Sequence, residues 1–189
     1  MKVQPDFFLE SIFKFEAQRM LRDILSFTFM KSSLNELNED KKLAAINYII
    51  DILKECHSVG DLEVLIENED RKLKGYGLLF LFPDINATYL HSIFIVEQYR
   101  KKGLGTKLLN KIKDLKFGAH LICDNSKISY YEQNGFRYVE PVQAPKGDDF
   151  KISKNLYRGL SIMTSSKSAI GSPIFFLNDQ DLNTIAGLK

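Results

Sequence analysis

Apolar residues recur at helical spacing over two early stretches and then switch to the spacing of strands. Residues 9 to 29 carry Ile12, Met20, Ile24 and Phe27, with Phe13 and Leu21 beside them. Residues 40 to 57 repeat the pattern through Leu43, Ile46, Ile49, Leu53 and Cys56. Asp40 stands where it could cap the second helix, and a polar stretch from Lys31 to Glu39 joins the two. From Leu62 the period falls to two. Leu62, Val64 and Ile66 alternate with Asp61, Glu63 and Glu67, which predicts a half-buried strand. Turn residues Asn68 to Arg71 lead into a largely apolar strand from Lys72 to Phe82. Pro83 to Asn86 then turn the chain into a third strand from Ala87 to Val96. These three predict an antiparallel meander.

Past Val96, six polar or aromatic residues precede a helix marked by Leu104, Leu108, Ile112 and Leu115, and Ala119 to Cys123 is a short strand. Two strands joined through a helix imply a right-handed crossover and a parallel pair. Ser126 to Asn134 reads as a short helix closed by Gly135 at the usual left-handed cap position. Phe136 to Val142 and Leu156 to Thr164 complete a last strand pair across a long loop, and the tail from Ser165 shows no assignable pattern. The expectation is an α/β (α+β mixed) fold with one mixed, mostly antiparallel sheet flanked by helices. It is organised as a helical N-terminal segment over residues 1–58, a core over 60–164 and a tail over 165–189.

Composition narrows the function. A length of 189 residues fits one domain. A net charge of +2 gives no global pull toward nucleic acid or a membrane, so neither partner is expected. The N-terminus brings Asp6 and Glu10 early and lacks a clean apolar core, so no secretory signal is expected. No apolar run reaches ~18 residues. A cytoplasmic protein is the default. Cys56 and Cys123 sit in apolar segments with no partner at metal-ligand spacing, which predicts buried thiols in a reducing compartment and no metal.

The chemistry concentrates where the strand through Phe94, Ile95 and Val96 feeds the turn Glu97-Gln98-Tyr99-Arg100-Lys101-Lys102-Gly103-Leu104-Gly105-Thr106. Gly103 and Gly105 let backbone approach a ligand closely. The first amides of the following helix point unpaired into the turn, where the helix dipole favours an anion. Arg100, Lys101 and Lys102 can add charge. Together these describe a phosphate cradle, although a solvated connection would use the same residue types. No Lys-Ser or Lys-Thr follows the second glycine, which excludes a Walker A loop. Leu108 stands where a dinucleotide fingerprint needs its third glycine, although Asp124 after the next strand keeps a nucleotide-binding enzyme in play.

The run resembles motif A of the GNAT superfamily of N-acetyltransferases, which reads Arg or Gln, two residues, Gly, one residue, Gly or Ala. Arg100, Gly103 and Gly105 match it in order and spacing. Tyr130-Tyr131-Glu132-Gln133-Asn134-Gly135-Phe136 is similar to the family's helix-to-strand signature. The resemblance covers residues 60 to 164 and reaches the N-terminal helices only loosely, because the family's usual first strand is not visible before them. It implies that the strand before the cradle and the parallel strand after the helix splay apart to admit the pantetheine arm of acetyl-CoA, here the co-substrate. Backbone of Phe94, Ile95 and Val96 would pair with that arm. Amides of Lys101, Lys102, Gly103, Leu104, Gly105 and Thr106 would hold the diphosphate. Asn125 is placed to contact the arm, or equally to cap the helix behind it. Tyr131 matches the tyrosine that protonates the departing thiolate, while Tyr130 packs.

The general base is left open by the sequence. The register from Asn125 puts His120 at the place of a glutamate in some relatives, with His91 and Glu97 as other candidates. Acceptor specificity in the family comes from two loops, which here carry Glu36, Glu39 and Asp40, and Glu140, Asp148 and Asp149. Acids on both sides would draw a cationic amine. Cys123 has no Cys-His-acid spacing for a covalent route. The implied activity is transfer of acetyl to a primary amine by direct attack. The alternatives are a catalytically silent acyl-CoA-binding module and an enzyme for a longer acyl group. The acceptor, small molecule or protein, and the oligomeric state are not legible.

Overall fold

The computed structural model describes residues 6–26, 38–167 and 177–186. The described chain divides into two compact units. One holds residues 6–58, 143–158 and the C-terminal helix; the other holds 59–142 with 159–167.

In the first unit, helices α1 (Asp6–Ser26) and α2 (Glu39–Ser58) form on the two periodic stretches. Ile12, Phe13, Leu21 and Ile24 of α1 are buried, as their spacing predicts, and Phe27 lies outside the described residues. The cap of α2 is corrected. Asn38, not Asp40, takes the Lys41 amide on its Oδ1 at 2.9 Å, because a cap must precede the first helical turn and Asp40 is already inside it. Leu43 is 57% exposed, since the buried row of α2 runs Ala45, Ile49, Leu53 instead. Cys56 is only half-buried; Cys123 is buried as expected.

The tail contains a helix that its apolar pattern does not announce. Asn178 and Asp181 cap one another reciprocally: the Asp181 amide donates to Asn178 Oδ1 at 2.8 Å and the Asn178 amide to Asp181 Oδ2 at 3.0 Å. The helix runs Asp179–Ala186, buries Leu182 and Ile185, and is labelled α5. Its Asp179 carboxylate accepts the amides of Lys151, Ile152 and Ser153 at 2.7–3.1 Å. Burial alone would raise the Asp179 carboxyl pKa, but the donated N–H groups outweigh it and hold the pKa below its ordinary value. Asp179→Ala orphans those amides and is expected to cost about 1–2 kcal/mol in urea unfolding. The aspartate's contribution is present above its unfolded pKa near 3.8 and lost as pH falls through the lower folded value.

The second unit is a six-stranded sheet in the order β1-β2-β3-β4-β6-β5. Strands β1 (Leu62–Glu69), β2 (Lys72–Phe82) and β3 (Ala87–Ile95) form the predicted antiparallel meander. Asp70 and Arg71 turn its first hairpin at φ 49° and 60°. After helix α3 (Leu104–Lys113) comes β4 (His120–Asp124), parallel to β3, and then the short helix α4 (Ile128–Gln133). The last pair is shorter than its sequence pattern: β5 spans Arg137–Pro141 and β6 spans Leu160–Thr164. Phe136 enters the core, and Leu156 and Tyr157 lie in the short helical turn Ser153–Tyr157 of the first unit. Leu79, Leu90, Leu109, Ile112, Leu121 and Met163 form the centre of the core on the α3 side of the sheet.

Glu67, expected on the polar side of β1, is buried. Lys107 and Lys111 of α3 both bind it, Lys107 Nζ at 2.7 Å from Oε2. Burial favours its neutral acid, yet the hydrogen bonds and charges of the two lysines prevail and lower its pKa. Removing both lysines (Lys107→Ala with Lys111→Ala) strands this buried carboxylate and should cost about 3 kcal/mol, whereas Glu67→Gln frees two half-exposed lysines and should cost about 1 kcal/mol. In the wild type this contribution holds above the carboxyl's ordinary value of 4.5 and fades below it as the carboxylate protonates. With the lysines gone only burial acts on this carboxyl and raises its pKa, so the sign reverses: the double variant's deficit should shrink as pH falls and the carboxyl protonates, measured as denaturation midpoints against pH.

Candidate active site

Strand β3 is paired along both edges only at its start. Toward β2 it is laddered through Ile95, but its parallel pairing with β4 consists of Tyr89 opposite His120 alone. Among the described residues the other edge is open from Leu90 to Ile95, a splay between two parallel strands. A register shift between Leu78 and Leu79 leaves His91 as the extra residue on β3 where this splay begins.

Alternation along β3 decides which backbone groups face the opening. The Val96 amide donates to Lys74 O at 2.9 Å, so that amide and the backbone groups of Phe94 face β2, not the opening where the sequence placed them. Those of Ile95 and Ile93 turn outward. Ile93 was not singled out from the sequence; the bond to Lys74 sets this phase, and no sequence signal reports it. The Ile95 carbonyl is already occupied, because Arg100 Nε donates to it at 3.0 Å. The Arg100 guanidinium also stands 5.8 Å from the Phe94 ring centre. Arg100 therefore braces the end of β3.

The turn that follows is tight. Glu97–Tyr99 form one 3-10 turn, with Tyr99 N–H to Val96 O at 2.8 Å and Arg100 N–H to Glu97 O at 3.0 Å. Lys101 sits at φ 58° and Gly103, the residue that opens α3, at φ 76°. Lys101 and Lys102 are exposed, and the Lys102 ammonium lies 5.7 Å from the centre of the Tyr99 ring. The first helical bond runs from Lys107 N–H to Gly103 O at 2.9 Å, so the amides of Leu104, Gly105 and Thr106 precede the α-helical ladder. A side chain at Gly105 would fill the space above them: its Cβ would stand 3.0 Å from the Tyr130 hydroxyl and 3.9 Å from Ile95 Cγ1. Three early amides behind a left-handed glycine suit an anion.

Around the splay, side chains approach from two faces. Tyr131 comes from α4 on the core side, half-buried, with its ring edge-on to Phe136 at 5.8 Å and to Tyr130 at 5.3 Å. Its carbonyl accepts the amides of Asn134 and Phe136, both at 3.0 Å, which ties α4 to the start of β5 through Gly135 at φ 83°. On the opposite face, His120 and Tyr89 are paired residues, and the His91 ring meets Tyr89 and Phe80 edge-on at 6.1 and 5.6 Å. His120 is buried, and its Nδ1 has no hydrogen-bond partner among the described residues. Burial, aided by the charge of Arg137, lowers its pKa, so it is neutral near pH 7. Glu97 is exposed beyond the strand's end.

Asn125 does not cap the helix. The start of α4 carries no side-chain cap; Asp124 caps the 3-10 turn Asn125–Lys127 before it, accepting the Ser126 amide at 2.8 Å, while Asn125 Oδ1 accepts the Ser161 hydroxyl at 2.7 Å. Its side chain is thereby oriented at the open end of β4. Burial raises the Cys123 thiol pKa, helped by the neighbouring Asp124, and a protonated thiol is a poor nucleophile. Of the acids in the two loops, Glu36 lies outside the described residues; Glu39, Asp40, Glu140, Asp148 and Asp149 are exposed.

Comparison with known proteins agrees with this geometry. Residues 60–138 match the model of the acetyltransferase (GNAT) domain. Among solved structures, the chain is similar to the PaiA N-acetyltransferase of Thermoplasma acidophilum in complex with coenzyme A. That pair shares 16% identity over 79% of this chain and 94% of the other, with a TM-score of 0.47. An acetyltransferase from Thermus thermophilus gives 16% identity, 80% and 90% coverage and 0.48. The ribosomal-protein-S18-alanine N-acetyltransferase from Escherichia coli gives 19%, 65% and 81%, and 0.44. No curated protein matches the sequence significantly. The segment that matches the acetyltransferase (GNAT) domain spans the splayed strands, the cradle and the tyrosine helix.

Proposed function

We propose that the protein transfers the acetyl group of acetyl-CoA to a primary amine by direct attack. The observation that carries this is the open β3 edge from Leu90 to Ile95, which runs directly into the amide cradle at Gly103–Thr106. The amides of Leu104, Gly105 and Thr106 seat the diphosphate, with Lys101 and Lys102 adding charge beside it. Outward backbone at Ile93 and Ile95, with Asn125 across the gap, holds the pantetheine arm. The acceptor nitrogen bonds to the acetyl carbon as the carbon–sulfur bond breaks. Tyr131 gives its hydroxyl proton to the sulfur, and the nitrogen's surplus proton leaves on the other face. There His120, neutral and with Nδ1 unpartnered, is the proposed acceptor, with His91 beside it at the splay.

Protonation favours a weakly basic acceptor. Making a lysine amine of pKa ~10.4 neutral at pH 7 costs about 4.6 kcal/mol, against about 1.4 kcal/mol for an α-amine of pKa ~8. The exposed Glu140, on β5 of the sheet unit, supports a cationic substrate. A thiol-release assay with acetyl-CoA across α-amines, lysine peptides, polyamines and small metabolites tests the reading. Release should appear with at least one class, and faster for α-amines at neutral pH. Cofactor binding without release for any amine would leave an acyl-CoA-binding module in its place.

A further inference from the structure

We propose that the Tyr130 hydroxyl is a ligand of the CoA diphosphate, donating a hydrogen bond to the phosphate oxygen seated over Gly105. This rests on the reading of the cradle given above and extends it to a residue that the sequence placed in packing. Three observations meet at the position. A Cβ on Gly105 would stand 3.0 Å from this hydroxyl, so the absence of a side chain there lets the phenol lie close against the first turn of α3, beside its early amides. The hydroxyl makes no hydrogen bond with any described residue, although Tyr130 is only 41% exposed. The ring lies edge-on to Tyr131, and the residue's backbone is tied by Asn134 Nδ2, which donates to the Tyr130 main-chain carbonyl at 2.8 Å. Partial burial raises the phenol's pKa, which keeps it protonated, and a protonated phenol can donate to an anion. Adjacent tyrosines on α4 thus serve two ends of one molecule, Tyr131 the thioester and Tyr130 the diphosphate.

The test separates those ends. Calorimetry on the wild type and Tyr130→Phe would use CoA and 3′-dephospho-CoA, with turnover of acetyl-CoA and of acetyl-pantetheine, which has no diphosphate. The expected result is a Kd about tenfold higher for both CoA and 3′-dephospho-CoA, the loss of one hydrogen bond to a charged group. At saturating acetyl-CoA kcat should be unchanged, as should kcat/KM for acetyl-pantetheine. Equal Kd values in the two proteins would overturn the proposal while leaving the cradle intact. So would a deficit of the same size with acetyl-pantetheine, which would make Tyr130 a support for Tyr131 only. A wild type that binds neither nucleotide would remove the cradle reading itself, and the role of Tyr130 with it.

Discussion

Tyr131→Phe is expected to lower kcat by about 10²–10³-fold while the Kd for CoA moves less than twofold. The size follows from what the hydroxyl supplies. Expelling a thiolate whose conjugate acid has a pKa of about 8.5 is helped by a placed proton donor, and such donors contribute roughly 10²–10⁴-fold. The ring is kept in the phenylalanine variant, so its edge-on contacts with Tyr130 and Phe136 persist and the fold should be undisturbed. Because the defect lies in leaving-group protonation, it should shrink only as pH climbs toward the range where a phenol, ordinarily of pKa ~10, loses its proton and the wild type loses its acid too. Parallel pH profiles of kcat for the two proteins check this. A kcat for Tyr131→Phe within about twofold of the wild type at neutral pH would remove Tyr131 from the acid role, and a rise in Kd with unchanged kcat would move it to binding.

The same residue shows how far the sequence carries. Tyr131 and Gly103 sit in short motifs whose spacing is set by one helix and one turn, so local pattern suffices to place them. The meander was legible for the same reason: β1 to β3 are neighbours in sequence as well as in space, and their turns carry their own chemistry. What escaped depends on contacts distant along the chain. Glu67 looks like a solvent position in a period-two pattern, and only the two lysines of α3, forty or more residues later, make its burial tolerable. The approach of the Tyr130 hydroxyl to Gly105 likewise appears only once α4 is laid against the start of α3. The Arg100 bond to the Ile95 carbonyl is local, only five residues back, but motif spacing does not report it. Helix α5 is a different case, since Asn178-Asp179-Gln180-Asp181 ahead of Leu182 is a capping box that pattern reading can recover.

Gly105→Val should weaken CoA binding by about 10²-fold or more with little change in thermal midpoint. The added carbons crowd the Tyr130 hydroxyl beside the early amides of α3. A diphosphate displaced from two charge-assisted hydrogen bonds of about 1.5–3 kcal/mol each loses at least that factor. Alanine is the graded control: its Cβ meets only the movable end of Tyr130 at 3.0 Å, so a shift of a few tenths of an ångström admits it and the loss should be smaller. Gly103→Ala gives the opposite signature. A Cβ there meets nothing within 4 Å, but the φ of 76° costs a non-glycine residue about 1–2 kcal/mol, which appears in stability first. Calorimetry and thermal unfolding on the three variants therefore distinguish an occupied cradle from a strained turn. Were Gly105→Val to bind CoA as the wild type does, no phosphate could sit over that glycine.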